Sequence, residues 1–362
     1  MIAKQAQKLL FNLSISLISF VFALLVGAAV IALLGENPWL AYQALLKGAF
    51  GSPIAISVSI TKSVPMILTG LAVALAFKCT VFNIGAEGQL LFGALFAAIV
   101  GVYVRLPAVL HIPLTLLAAM VGGMCWAFLP ALLRQKCNVH VVISTIMFNY
   151  IAQYFVQYLI LGPLKGPTDA SASHPIQPTA ALPSILKSPF VLNLGIVIAL
   201  LLIVAVHVLL SKTTIGYEMR AVGFNPDASE TSGINVNRNM FLALLLSGAI
   251  AGLAGGIEVT GSLGKYVNNF SPGYGFNGIP VALMARGNPF AIFFTALLMG
   301  AMRNGSLMMQ ASVGVSRYMV DIIQGLIIVF LCGELVIRYY LERISGKKTQ
   351  APKAAEEGGG AA

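Results

Sequence analysis

Charge is what this sequence has least of. Asp, Glu, Lys and Arg make up 9% of its 362 residues, against roughly 25% in an ordinary soluble domain. Hydrophobic residues make up 58% and mean hydropathy is +0.88, which excludes a soluble globular fold. Cysteine is scarce too. Cys79, Cys125, Cys137 and Cys332 are scattered in or beside apolar runs, with no CxxC pair and no metal-site spacing. His111, His140, His174 and His207 form no HExxH or comparable cluster, so metal chemistry has no support. No GxxxxGK[ST] occurs; SGKKT at Ser345 to Thr349 lacks the upstream glycine and follows no strand. No nucleophile, base and orienting group fall into a motif, so the chain is not expected to be an enzyme.

Long apolar runs are what is there. A bilayer core about 30 Å thick needs about 20 apolar residues per helix. Barrel strands alternate over about ten residues, whereas these runs are continuous, so helices are the reading. Spans fall near 9–35, 54–77, 87–104, 108–133, 139–161, 190–210, 240–263, 276–286, 290–307 and 318–340. The eighth is too short to cross alone and reads as half of a broken helix. The run from Leu9 to Gly35 follows Lys4 and Lys8 but is much longer than the roughly 7 to 15 residues of a cleavable signal core, and is read as an uncleaved span. The expected fold is an all-α polytopic transmembrane bundle of about ten spans with short or broken helices and both termini cytoplasmic. Fourteen of the 22 lysines and arginines then lie inside, a moderate positive-inside bias that also accounts for the formal charge of +10.

The expected transmembrane domain covers 1–344, followed by a tail, 345–362, that reads as disordered. Two loops are long. Gly162 to Ser188, rich in proline, serine and alanine, faces outward; Ser211 to Asn239 faces inward and mixes both charges with helix-compatible residues. In the second, Tyr217 to Ala221 suits a helical turn, Gly223 and the pair Asn225, Pro226 break it, Asp227 caps a second turn through Glu230, and Gly233 ends it. A short helix pair on the inner surface and a plain solvated loop are both open on this spacing. Gly248, Gly252, Gly255 and Gly256 have the small-residue spacing of close helix packing.

Between two apolar runs stands KCTVFNIGAEGQL, Lys78 to Leu90. One reading is a polar turn at the cytoplasmic surface. The other is a helix break at which Asn83, Glu87 and Gln89 line a passage, since an ionisable group in a bilayer must face protein or water. Phe82 could line that passage as well, although an aromatic in a membrane helix is far more often core. Asn149, one turn before Gln153, and Asn277, ahead of the interrupted segment GIPVALMARGNP, are further pathway candidates. Interhelical hydrogen bonding explains Asn149 equally well.

The stretch TTIGYEMRAVGFNPDASETSGINVNRNMFLALLLSGAIAGLAGGIEVTG resembles the coupling region of permease subunits of bacterial ATP-binding-cassette importers, the branched-chain amino acid, sugar and nucleoside permease family. The likeness runs from about residue 50 to 340. It implies that Gly216, Tyr217, Glu218, Arg220, Gly223, Asn225, Pro226 and Gly233 belong to a loop seated on a separate ATPase, where ATP and Mg would bind. It also implies a second permease in a heterodimer or a copy of this chain, an extracytoplasmic substrate-binding protein, and a multi-pass place in the bacterial cytoplasmic membrane. FNIGAEGQ is similar to the signature of nucleoside-type members, which implies a nucleoside substrate; a simple sugar is the alternative. A proton- or sodium-coupled transporter using Glu87, Glu258 or Asp321 is the rival from another class.

Overall fold

The computed structural model describes residues 21–167, 171–186 and 189–332. The start of the first expected span, the end of the last and the tail 345–362 lie outside the described residues. Two compact units are distinguished, one holding 21–35 and 321–332 of the described chain and the other Glu36–Val320. The first unit contributes helix α1, Val21–Leu33.

The second unit is built of α2 (Pro38–Phe50), α3 (Pro53–Phe77), α4 (Ala86–Tyr103), α5 (Ala108–Cys137), α6 (Val141–Leu161), α7 (Gly195–Lys212), α8 (Thr214–Phe224), α9 (Pro226–Thr231), α10 (Val236–Glu258), α11 (Tyr274–Met284), α12 (Pro289–Val313) and the start of α13 (Tyr318–Cys332). The helix starts follow from local chemistry. Asn37, Ser52 and Asn288 accept backbone N–H groups ahead of Pro38, Pro53 and Pro289, each proline standing where its missing N–H costs nothing. α2 was not among the expected spans, although ENPW carries its cap and its first-turn proline.

Among the described residues six helices are long and apolar enough to cross a membrane: α3, α4, α5, α7, α12, and α10 with its terminal turn to Leu263. A seventh is reached if α1 and α2 make one span. Of the ten expected segments, 139–161 is a helix of spanning length, but Asn149, Gln153, Gln157 and three tyrosines make it less apolar. The eighth, α11, has 11 residues and is about 17 Å long, half a crossing.

α10 is the middle of the packing. Helix backbones come close there because hydrophobicity cannot drive association within lipid and contact area must do so instead. A Cβ at Gly252 would collide with the Ala119 carbonyl and with Gly123 of α5, and one at Gly255 with the Leu90 carbonyl of α4. The expected packing stripe of α10 therefore serves α4 and α5 together. On its third side Ser247 donates to the Ala72 carbonyl of α3 at 2.7 Å.

The described part of the long loop after α6 forms a cover over the helix ends. Ser173 N–H donates to the Tyr266 carbonyl and Ile176 N–H to Gly264, while His111, fully buried at the start of α5, pairs with the Thr179 hydroxyl at 2.8 Å. The loop is thereby tied to the ends of α10 and α5.

Candidate functional site

Segment 78–89 lies beside the middle of α10. α3 stops at Phe77, Thr80 takes a left-handed turn with φ +57°, and the chain runs extended to the start of α4. Asn83 turns the backbone by accepting Gly85 N–H at 2.9 Å. Its amide nitrogen donates to Gln89 Oε1 at 2.9 Å and to Ser247 Oγ at 2.8 Å, and Gln89 Nε2 returns a bond to Asn83 Oδ1 at 3.2 Å. Ser247 is eleven positions into α10, about 17 Å from its start, so these bonds form at depth and not at a wet surface. Asn83 and Gln89 are each 1% exposed.

Asn149 of α6 closes the other side. Its Oδ1 accepts Gly88 N–H and its Nδ2 donates to the Ile84 carbonyl, both at 2.9 Å. These are groups that a helix start leaves without intrahelical partners, so α6 caps α4 from outside. Gln153, one turn on, is exposed.

Glu87 reaches in another direction. Its Oε2 accepts the Gly275 amide at 2.6 Å, and the Ser271 hydroxyl and Phe276 amide also bond it. The carboxylate therefore sits at the N-terminus of α11, within the first turn of α4, where two helix dipoles favour a negative charge. At the other end of α11 the Lys78 side chain lies against Gly287, where a Cβ would be 3.4 Å from Nζ. A cation at a helix C-terminus is the complementary placement. The acid and the base of this motif thus bracket one half-length helix, and Thr69 of α3 donates to its Tyr274 carbonyl at 2.9 Å. Phe82 is half-buried and meets Phe77 edge to face, with ring centres 4.5 Å apart; Asn277 is half-buried in the first turn of α11.

The loop between α7 and α10 forms a pair of helices. α8 is longer than the expected turn, and Gly223 does not break it. A Cβ there would run into the Lys78 carbonyl oxygen, so glycine is required for close approach. Asn225, rather than Asp227, caps α9 by accepting Ala228 N–H at 3.0 Å, with Pro226 in the first turn and Gly233 at φ +84° after the end. Gly216 abuts the Leu209 carbonyl and receives the Thr213 cap; Arg220 donates to the Gly216 carbonyl at 3.3 Å. Glu218 accepts from Asn239 of α10 at 2.9 Å, tying α8 to α10. Met219 and Val222 face inward and are fully buried, whereas Tyr217 and Phe224 are 62% and 88% exposed.

Lys78, Ser247 and Ser271 were missed as members of this arrangement. Lys78 read as a wet flanking charge, and neither serine stands out from its apolar or glycine-rich neighbours in the sequence.

A many-helix membrane bundle, with a broken helix held by buried charges and a two-helix element carried on the α7–α10 connection, has the architecture of a transport subunit. The model of the family described as "Branched-chain amino acid transport system / permease component" matches residues 55–332, and the chain belongs to that family. It is an ATP-binding-cassette permease component, a multi-pass integral membrane protein and not an enzyme. It is 38% identical over 350 residues to the guanosine ABC transporter permease protein NupP of Bacillus subtilis, covering 94% of this chain and 99% of that one. It is 35% identical to the glucose ABC transporter permease protein TsgB13 of Haloferax volcanii, over 93% and 92% of the two chains. It is 34% identical to the nucleoside ABC transporter permease protein NupB of Lactococcus lactis, over 94% and 95%. No solved structure matches the chain. Membership in an ATP-driven family displaces the ion-coupled rival.

Proposed function

We propose that this permease carries nucleosides inward across the cytoplasmic membrane as one half of a heterodimer, with an ATPase beneath and a substrate-binding protein on the outer side. In this reading residues 1–344 form the permease domain, the tail 345–362 and both termini are cytoplasmic, and ten segments lie in the membrane, some as half-spans. ATP and Mg bind the partner ATPase. Tyr217 and Phe224 supply apolar anchors for that subunit, carried on the α8–α9 pair together with Gly216, Glu218, Arg220, Gly223, Asn225, Pro226 and Gly233.

The observation that carries the proposal is the backbone contact between Gly223 and Lys78. A displacement of α8 presses directly on the segment that continues through Asn83 to Glu87, and Glu87 holds the first amides of α11. A surface movement is thereby delivered to a half-length helix inside the bundle, the two-state element that coupling requires. Asn83, Glu87, Gln89 and Asn149 border the passage as its frame; Phe82 and Asn277, half-buried, are the two with side-chain surface left for a solute.

The nucleoside assignment is supported by FNIGAEGQ and by the guanosine and nucleoside relatives. A sugar is the second reading, favoured by the glucose relative at similar identity. Vesicles holding the reconstituted complex should accumulate labelled nucleosides only with internal ATP. Accumulation of glucose, with no nucleoside uptake, would overturn the assignment in favour of the sugar.

A further inference from the structure

Three charges inside the spans are left over once Glu87 is placed. Lys62 is nine residues into α3, Arg303 fourteen into α12, and Glu258 closes α10, five residues before the span ends at Leu263. Hydrogen bonds and close contacts fix their level. Ser247 meets Ala72, while Ile257 and Val64 both meet Gly195, so α10 and α3 run antiparallel with Glu258 opposite Lys62 and Ser63. Asn304 donates to Ser59 Oγ at 3.1 Å and Gly300 touches Ser63, which sets Arg303 at the same height. The Lys62 ammonium is accordingly within Coulombic reach of Glu258, Arg303 and Arg317, and Tyr274, the first residue of α11, within reach of Glu258 and Arg303. Ser262 adds a hydroxyl 3.5 Å from Glu258.

All three side chains are partly exposed. An ionised group at this depth that keeps exposed surface in the single chain faces water, a polar ligand or a partner subunit, because lipid offers it nothing. The level lies next to the end of α11 that Glu87 holds.

We propose that Lys62, Glu258 and Arg303 form a solute-binding wall of the passage, selective for an uncharged solute carrying vicinal hydroxyls. A carboxylate accepts two O–H donors side by side, which suits a ribose 2′,3′-diol; the ammonium and guanidinium donate to ring, carbonyl or hydroxyl oxygens. Cations outnumber the carboxylate among the groups in mutual reach here, Lys62, Arg303 and Arg317 against Glu258, which disfavours cationic solutes. The ligand, though not the wall, rests on the nucleoside reading above.

The test uses the reconstituted complex in vesicles. Lys62→Cys, Glu258→Cys and Arg303→Cys are each treated with a water-soluble methanethiosulfonate from the outer side, with labelling of the native cysteines subtracted. They should react about tenfold faster than Leu201→Cys, an exposed apolar position on α7, because thiolate chemistry needs water. Rates equal to that of Leu201→Cys would overturn the wall. Wild type should take up a ribonucleoside about tenfold better than its 2′-deoxy analogue, and Glu258→Gln should erase most of that preference. An unchanged preference in Glu258→Gln would overturn its role as diol acceptor. If wild type carries no nucleoside, the nucleoside reading fails by itself, while the labelling rates still decide the wall.

Discussion

Two polar regions lie inside this bundle, and they differ in what is left over. Around Asn83, Glu87, Gln89 and Asn149 the side-chain donors and acceptors are spent on backbone groups and on one another, and the side chains are buried. Around Lys62, Glu258 and Arg303 the charges share a level and keep exposed surface. Membrane-embedded polar residues are expected to mark a pathway. The first region shows that the same residue types also serve to end one helix and start another where no water can do it. Burial separates a frame from a wall.

The sharpest way to break this contrast is Glu87→Ala. It leaves the Gly275 amide, and the other groups that Glu87 bonds, buried without their acceptor, at a cost of about 3 kcal/mol. A clearly lower melting temperature in detergent and loss of assembled complex are expected. Glu87→Gln keeps an acceptor oxygen and gives up mainly the charge at the α11 N-terminus, roughly 1 kcal/mol. Full stability of Glu87→Ala would move Glu87 from the frame to the wall.

A smaller effect is expected from Gly223→Ala. The added methyl must displace either α8 or the Lys78 carbonyl. Because that contact joins the inner surface to the frame, uptake per ATP hydrolysed should fall about tenfold while the bundle still folds. Unaltered coupling would mean that the force takes another route, the Glu218–Asn239 bond to α10 being the next candidate.

How much of this could be read from the chain follows from distance along it. The membrane class and the glycine stripe of α10 are written in local composition and spacing, and they stood; the helix pair at 214–231 was one of two readings that spacing left open, and the structure has it. The frame is not local. Asn149 bonds a backbone 61 positions away, Asn83 reaches Ser247 across 164, and Glu87 reaches Gly275 across 188. No periodicity announces such pairs; polarity in an apolar stretch says only that a partner exists. Gly223 illustrates the same limit, since glycine for a helix break and glycine for a close approach look alike until the Lys78 carbonyl is in place.

The smallest effect on stability belongs to Glu258→Gln, and it is the one that decides whether the contrast holds. The substitution keeps the shape and an acceptor, and the side chain already has water or solute to bond, so no group is left stranded. A change within about 0.5 kcal/mol is expected, as for a site outside the packed frame. Removing the negative charge also takes away the carboxylate that offsets the repulsion between Lys62 and Arg303. In a dry site that repulsion would cost several times more than in a wet one, because the effective dielectric sets its size. The melting temperature of Glu258→Gln relative to wild type, measured at low and then at high salt, therefore reports on hydration directly. A small, salt-screened shift places the level on the water-filled side. A large, salt-insensitive loss of stability would make Glu258 a second Glu87, a strut inside the frame.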